Sequence, residues 1–174
     1  FSGTGKTTVG KLVADLLGWK LLDTDGLIVE YVGIPIVKIF DRGEEHFRQI
    51  EHKVLKEVAK QHKKVISTGG GLPVDPRNRH IMKSSGTIVR LGASPHAIHM
   101  RLRDSLNISG GENSSVVRPM IQDGRCEAPI ERIKRLLGER EMFYGEADFT
   151  IDTEYVGPLE VAKQIIDYYQ PNVR

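Results

Sequence analysis

Cysteine is almost absent from this sequence, in which Cys126 is the single example among 174 residues. One thiol cannot form a disulfide within the chain, and this favours a reducing compartment. No apolar run approaches the roughly 18 residues that a membrane-spanning helix requires, and no signal peptide is recognisable. We therefore expect a cytoplasmic protein that does not associate with membranes.

An excess of charge of one sign is also lacking. The 25 Lys and Arg residues nearly balance the 23 Asp and Glu residues, and the basic residues are spread along the chain. A dedicated nucleic-acid-binding protein would carry its basic residues in clusters, so we expect no nucleic-acid partner. The length and the hydrophobic share of 39% fit one globular domain with a substantial core.

The stretch "GTGKTTVG" at residues 3–10 is the strongest local signal. It matches the second half of the pattern G-x-x-x-x-G-K-[ST], in which backbone N–H groups surround phosphates, the lysine adds a positive charge and the hydroxyl binds Mg²⁺. Apolar residues at helical spacing follow, which makes a solvated glycine-rich turn the weaker alternative. The predicted nucleotide-binding residues are Gly3, Thr4, Gly5, Lys6, Thr7 and Thr8. The first glycine of the pattern, and the strand that usually precedes it, would lie before Phe1.

The rest of the chain alternates short strands with helices. Strands are predicted at residues 20–23, 64–68, 87–91 and 149–152, and helices at residues 44–60, 95–103, 129–144 and 158–169. This alternation predicts an α/β fold with a parallel sheet covered by helices. Residues 104–128 form a long polar stretch without periodicity, which is typical of a functional lid or a disordered loop.

Two strand ends carry residues suited to ligand binding, since ligands of such sheets collect beyond the carboxyl ends of the strands. Asp23 and Asp25 stand two residues apart, so in an extended backbone both carboxylates would point the same way. The alternative is that Asp25 only caps the next helix. Gly69, Gly70 and Gly71 follow the next strand, and they predict either a close approach of the backbone to a ligand or a flexible turn.

Arginine positions add a further signal. Arg140 lies on the apolar stripe of the helix 129–144, where a guanidinium needs a buried carboxylate or an anionic ligand. Arg48 could instead pair with Glu44 or Glu51 on a solvated face. Arg118, before Pro119 in the predicted lid, would by default be a solvated loop arginine. The apolar stripe comprises Ile130, Ile133, Leu137 and Tyr144.

Taken in order, these motifs resemble those of the shikimate kinases over nearly the whole chain. The resemblance rests on the phosphate loop, "DTD", "FR" in a Glu-rich helix, "GGG", "RP" in the lid and an Arg four residues before a Tyr. It implies a single P-loop kinase domain over residues 1–174, a three-layer α/β/α fold like that of nucleoside-monophosphate kinases, with a five-stranded parallel sheet. It also implies ATP-dependent phosphorylation of the 3-hydroxyl of shikimate, in chorismate and aromatic amino-acid biosynthesis. We expect a monomer.

The resemblance also implies a role for each matching residue. Lys6 would hold the phosphates, while Thr7 and Asp23, the latter through water, would hold Mg²⁺. Asp25 would bind the reacting hydroxyl, and Arg48 and Arg140 would bind the substrate carboxylate. The three glycines at 69–71 would line the ring of the substrate, and Arg118 would close over ATP. The family pattern R-x-P-L-Y reads "REMFY" here, so Met142 replaces a rigid proline with another apolar side chain.

Three other functions share part of this pattern of motifs. A sister kinase such as a gluconate kinase would share the phosphate loop, without a reason to carry "DTD" together with "GGG". A nucleoside-monophosphate kinase needs a base-binding pocket that no motif indicates. A ligand-sensing domain of a transcription regulator would not need Asp25 or Arg118, and both are present.

Overall fold

Short strands followed by amphipathic helices set the order of elements in the computed structural model, which describes residues 1–108 and 128–172. A 3-10 turn at Leu72–Val74 separates the second strand from α5. The other elements are α1 (Lys6–Leu17), β1 (Lys20–Asp23), α2 (Thr24–Val32), α3 (Ile36–Phe40), α4 (Glu44–Val58), β2 (Lys64–Ser67), α5 (Pro76–Ser85), β3 (Val89–Gly92), α6 (Pro95–Ile108), α7 (Pro129–Tyr144), β4 (Phe149–Asp152) and α8 (Pro158–Asn172).

The strands pair in parallel, as the alternation of strands and helices predicts. β1 pairs with β2 from Lys20 opposite Lys64 to Asp23 opposite Ser67. β3 pairs with β4 from Val89 opposite Phe149 to Gly92 opposite Asp152. The described residues thus form two sheets of two strands each. The α/β class is confirmed, whereas the five-stranded sheet is not seen in this part of the chain.

The core lies between the sheets and the helices on their faces. The face of α4 predicted to point inward is buried, with Phe47, Ile50, Val54, Leu55 and Val58 each at most 8% exposed. A second cluster joins α1 and α8 to β3 and β4. A third cluster joins Phe1 to α6 and α7 through Ile98, Ile133, Leu136 and Tyr144. The last of these clusters places the start of the phosphate loop against the helix that carries Arg140.

Several boundaries differ from the sequence-based expectation. α6 continues to Ile108, so the first five residues of the predicted lid, 104–108, are helical. α2 begins at Thr24, inside the "DTD" motif. α3 and α5 were not predicted. Of the helices that are described, none is both long enough and apolar enough to cross a membrane.

Candidate functional site

The phosphate loop ends where α1 begins, and its backbone requires glycine. Gly3 and Gly5 have φ angles of 78° and 88°, in the left-handed region that other residues rarely adopt. Thr4 is buried, and its hydroxyl donates a hydrogen bond to the Phe1 carbonyl at 3.0 Å. The Lys6 ammonium donates to the same carbonyl. Because an ammonium has three donors, Lys6 can keep this bond and still contact an anion at the N-terminus of α1, where N–H groups favour negative charge.

Arg101 and Thr153, neither of which was predicted from the sequence, form hydrogen bonds to the backbone of this loop. The Arg101 guanidinium donates to the Gly3 carbonyl at 3.4 Å and to the Thr153 hydroxyl and carbonyl at 3.0 and 2.6 Å. The Thr153 hydroxyl lies 3.3 Å from the Thr4 carbonyl and 2.9 Å from that of Gly92. These contacts span 98 and 149 residues of sequence, so no local pattern reveals them.

A set of oxygen atoms lies beside the loop where a cation would be bound. The Thr7 hydroxyl donates to Asp23 Oδ2 at 2.9 Å and lies 3.3 Å from the Ser67 hydroxyl. Hydroxyl and carboxylate oxygens suit Mg²⁺, which keeps several waters and is completed by substrate phosphates. The parts of the chain that are described hold no cluster of three or more His, Cys, Asp or Glu side chains suited to a metal. The oxygen atoms of Thr7 and Asp23 suit a Mg²⁺ ion that is bound together with a nucleotide, and the Ser67 hydroxyl, which was not singled out from the sequence, lies beside them.

The geometry of the "DTD" motif corrects the prediction made for it. Asp23 Oδ1 accepts hydrogen bonds from the backbone N–H groups of Asp25 and Gly26, at 3.0 and 3.3 Å. Asp23 is therefore the N-cap of α2, and Asp25 is not. Because this cap turns the chain into a helix at Thr24, Asp23 and Asp25 are not related by the alternation of an extended strand. Asp25 instead lies in the first turn of α2, where its carboxylate faces a different group from that of Asp23.

Gly69, Gly70 and Gly71, which we call the glycine turn, lie close to charged side chains of the protein at both ends of the turn, whereas their approach to a ligand stays a prediction. A Cβ atom on Gly69 would lie 2.7 Å from Asp25 Oδ1 and 3.1 Å from Glu51 Oε1. A Cβ atom on Gly71 would lie 2.6 Å from both terminal nitrogens of Arg48. At 2.7 and 2.6 Å, a Cβ atom would force the ends of the Asp25 and Arg48 side chains to move, so the lack of side chains lets these charged groups approach the backbone of the turn.

The middle glycine faces the phosphate loop. A Cβ atom on Gly70 would lie 3.2 Å from Phe1 Cα and 3.3 Å from Ser2 N. None of the three glycines has a positive φ angle, so close packing and not backbone strain requires glycine here. The glycine turn therefore brings Asp25, Arg48 and the phosphate loop into one site.

Arg48 has both of the carboxylate partners that the sequence offered. Its guanidinium bonds to Glu51 at 2.7 Å and to Glu44 at 3.0 Å. The Glu51 side chain is only 1% exposed, whereas that of Arg48 is 17% exposed. Arg48 is thus anchored by a buried carboxylate and reaches the surface of the site, which a purely solvated arginine would not do.

Glu51 was considered from the sequence only as a partner of Arg48 on a solvated face, and its buried place in the site was not predicted. Burial raises the pKa of its carboxyl; the Arg48 guanidinium opposes this, and the Asp25 carboxylate adds to it. Arg140 also acts on Glu51, in the direction that favours the ionised form. Four charged groups therefore interact around the glycine turn: Asp25, Arg48, Glu51 and Arg140. The i, i+3 spacing of Arg48 and Glu51 on a helix was the available signal.

Arg140 is buried, as its place on the apolar stripe predicts. It is 8% exposed, and its guanidinium lies 5.7 Å from the centre of the Phe1 ring. Met142, in contrast, is 72% exposed, so the apolar side chain that replaces the family proline faces solvent and does not pack in the core. Phe143 packs instead, under the Arg79 guanidinium at 4.7 Å. Glu141 ties the helix to β3 through two hydrogen bonds from Arg90, at 2.8 and 2.7 Å.

Two predictions fall outside the described residues. Arg118 and the segment 109–127 of the predicted lid belong to the part of the chain that the structure does not describe. The role of Arg118 at the nucleotide therefore stays a prediction.

Comparison with known proteins gives a consistent result over nearly the full chain. The family model described as shikimate kinase matches residues 2–170. The shikimate kinase of Thermodesulfovibrio yellowstonii is 42% identical over 98% of this chain and 91% of its own length. That of Geobacter metallireducens is 37% identical over 98% and 88%. A solved structure, shikimate kinase from Acinetobacter baumannii in complex with shikimate, superposes with a TM-score of 0.86 at 33% identity, covering 98% of this chain and 89% of that one.

Proposed function

Since this chain belongs to the shikimate kinase family, we propose that it transfers the γ-phosphate of ATP to the 3-hydroxyl of shikimate. The products are shikimate 3-phosphate and ADP, and the reaction belongs to chorismate and aromatic amino-acid biosynthesis. The protein is an ATP-dependent kinase of a small molecule. Its cytoplasmic location and monomeric state remain predictions from the sequence.

One observation carries this proposal at the level of residues. The glycine turn places a carboxylate, Asp25, at one end and a guanidinium, Arg48, at the other, and its middle contacts the phosphate loop. Shikimate carries a carboxylate on C1 of its ring and the hydroxyl to be phosphorylated on C3, two ring carbons away. A site that presents an acid and an arginine across one short turn, beside a phosphate loop, matches that distribution of groups.

The chemistry asks mainly for positioning and for compensation of charge. Phosphoryl transfer passes through a loose transition state, so there is little covalent work for the protein. We propose that Lys6 and the N–H groups of the loop hold the β- and γ-phosphates. Asp25 orients the 3-hydroxyl towards the γ-phosphate and accepts its proton as the new P–O bond forms. Arg48 and Arg140 bind the substrate carboxylate with planar pairs of donors.

Mg²⁺ would be held by Thr7 directly and by Asp23 through water, and when bound it neutralises charge on the phosphates. Gly69, Gly70 and Gly71 would lie against the ring of shikimate, since they present backbone without side chains. Glu51 holds Arg48 in place from the buried side. Arg118 would approach the phosphates from the segment predicted as a lid, which would exclude water from the reaction.

The full-length protein tests the reaction directly. Release of ADP should depend on shikimate, and phosphorus NMR should show a phosphate monoester at the 3-position. An ATPase activity that is indifferent to shikimate would contradict the proposed function, as would a product phosphorylated elsewhere on the ring.

Asp23→Asn should raise the Mg²⁺ concentration needed for half-maximal activity by about 10-fold or more, because an amide is a weaker partner for a metal-bound water. Asparagine is as good an N-cap as aspartate, so α2 should remain intact. A titration of kcat against Mg²⁺ checks this. An unchanged Mg²⁺ requirement would show that Asp23 serves only as the cap of α2.

Gly71→Ala should raise the KM for shikimate by about 10-fold, because the new methyl group would lie 2.6 Å from both terminal nitrogens of Arg48 and must displace them. Gly138→Ala is the matched control, since a Cβ atom there meets nothing within 4 Å. That variant should keep full activity and gain about 0.5–1 kcal/mol of stability from its better helix propensity. Equal KM values for the two variants would contradict the placement of Arg48.

We further propose that a fifth strand, supplied by residues that precede the phosphate loop in the full-length protein, lies between β2 and β3. A cavity of about 390 Å³ separates these strands and is lined by apolar side chains of α1, β2, β3 and α8. Phe1 packs against Gly70, which follows β2, and it lines the same pocket as Gly92 at the carboxyl end of β3, so a chain leading into Phe1 would pass between these two strands. A strand there would join the two sheets into one five-stranded parallel sheet.

A further inference from the structure

Two hydrogen bonds hold the glycine turn from opposite sides. The backbone N–H of Gly69 donates to the Thr24 hydroxyl at 3.0 Å. The Tyr144 hydroxyl donates to the Gly70 carbonyl at 2.7 Å. Thr24 is fully buried and Tyr144 is 8% exposed, so water has little access to either bond. Two adjacent residues of the turn are thus fixed by the first residue of α2 and by the last residue of α7.

Each of these two residues is close in sequence to a residue that we have placed at the substrate. Thr24 directly precedes Asp25, whose carboxylate lies against Gly69. Tyr144 follows Arg140 by four residues on the same face of α7. Burial raises the pKa of the Tyr144 hydroxyl, and its hydrogen bond from Arg140 opposes that shift. The hydroxyl therefore stays protonated at neutral pH and remains a donor to Gly70.

We propose that Thr24 and Tyr144 are positioning residues, which set the separation between Asp25 and Arg140 through the glycine turn. A connected path runs from Asp25 through Thr24, across the backbone of the turn, and through Tyr144 to Arg140. The inference rests on the proposed function, since Asp25 is assigned to the 3-hydroxyl of shikimate and Arg140 to its carboxylate. Thr24 is the middle residue of the "DTD" motif, and Tyr144 is the last residue of "REMFY". The resemblance to the family implied no role for either side chain.

The Tyr144 ring also has a contact that does not involve its hydroxyl. The Arg90 guanidinium lies 5.6 Å from the centre of the Tyr144 ring, and Arg90 also binds Glu141 on the same helix turn. The Tyr144 ring is therefore fixed independently of its hydroxyl. Removal of the hydroxyl alone should release the turn without moving the helix.

The test removes one hydroxyl at a time and measures each substrate separately in the full-length protein. Thr24→Val and Tyr144→Phe should each lower kcat/KM for shikimate by about 5- to 30-fold, since each leaves a buried backbone group without its partner. The KM for ATP should stay within about 2-fold. The double variant should lose less than the product of the two single losses, because both anchors act on one turn.

Two controls accompany these variants. Thr24→Ser keeps the hydroxyl and should behave like the wild type. Tyr168→Phe removes an exposed bond of the same type, from the Tyr168 hydroxyl to the Asp148 carbonyl at 3.1 Å, which involves no residue assigned to the site, and should leave kcat/KM for shikimate unchanged. If Thr24→Val fails to fold, Tyr144→Phe, which deletes a single oxygen atom, decides the question.

The outcomes separate this inference from the function on which it rests. A wild-type protein without shikimate-dependent ADP release overturns the proposed function. An active wild type whose Tyr144→Phe variant keeps its kcat/KM for shikimate overturns the positioning role. A variant that raises the KM values for ATP and shikimate equally also overturns it, because that pattern indicates a general loss of structure.

Discussion

Asp25→Asn should lower kcat by about 100- to 10,000-fold, the range typical of the loss of a positioned general base. The amide has nearly the same shape and can still hydrogen-bond the 3-hydroxyl, but it cannot take the proton. ATP binding should be unchanged, because Asp25 lies at the glycine turn and the nucleotide is held at the N-terminus of α1. Single-turnover kinetics together with ATP affinity by calorimetry would measure the two effects separately.

Asp15→Asn, an exposed carboxylate on α1, is the control for the loss of one negative charge and should retain full activity. A loss of kcat of less than about 10-fold in Asp25→Asn would be too small for the removal of a general base. Asp25 would then only orient the hydroxyl, and the proton would leave by another route.

Arg140→Ala should lower kcat/KM for shikimate by about 30- to 1000-fold, because a desolvated, charge-assisted contact to a carboxylate contributes roughly 2–4 kcal/mol. Arg48→Ala should act in the same direction. Lysine should rescue little at either position, since an ammonium cannot present two parallel donors. The KM for ATP should change far less than that for shikimate.

Arg140 is buried, so its loss also affects folding, and a second buried arginine on α7 serves as the control. Arg132 is 6% exposed and lies about two helical turns before Arg140. Arg132→Ala should lower Tm to a similar extent while changing kcat/KM for shikimate much less. If both variants reduce activity in proportion to Tm, Arg140 is a structural residue and the carboxylate clamp is wrong.

Much of the fold could be predicted because its elements carry their own local signals. The strands at residues 20–23 and 149–152 and the helix at residues 129–144 have the predicted bounds. Each is a short apolar run or a 3.6-residue repeat, which one segment shows without reference to others. The five-stranded sheet could not be judged in the same way, because pairing joins segments far apart in the sequence.

The site was predictable where one motif performs one task. Gly3, Gly5 and Thr7 have the geometry that the phosphate-loop pattern requires, and the burial of Arg140 follows from its helical stripe. The roles of the two aspartates in the "DTD" motif were harder to predict, because aspartate serves equally well as a metal ligand, a base or an N-cap. The local sequence does not show that Asp23 caps α2 while also facing Thr7.

Residues that act through distant contacts were not predictable. Arg101 and Thr153 reach the phosphate loop from the other half of the chain, and Glu51 resembles any acidic residue of a charged helix until its burial is known. Met142 illustrates the reverse error, in which an apolar residue in an apolar motif is exposed. Its neighbour Phe143, at the leucine position of the family pattern, instead lies under the Arg79 guanidinium.

The most direct test of the account compares shikimate with its methyl ester, which keeps the 3-hydroxyl but removes the negative charge of the carboxylate on C1. We predict that the wild-type protein prefers shikimate by about 100-fold in kcat/KM, as expected for loss of a charge-assisted contact to paired arginines. We also predict that Arg140→Ala largely abolishes this preference. Equal use of the acid and the ester by the wild type would contradict the account.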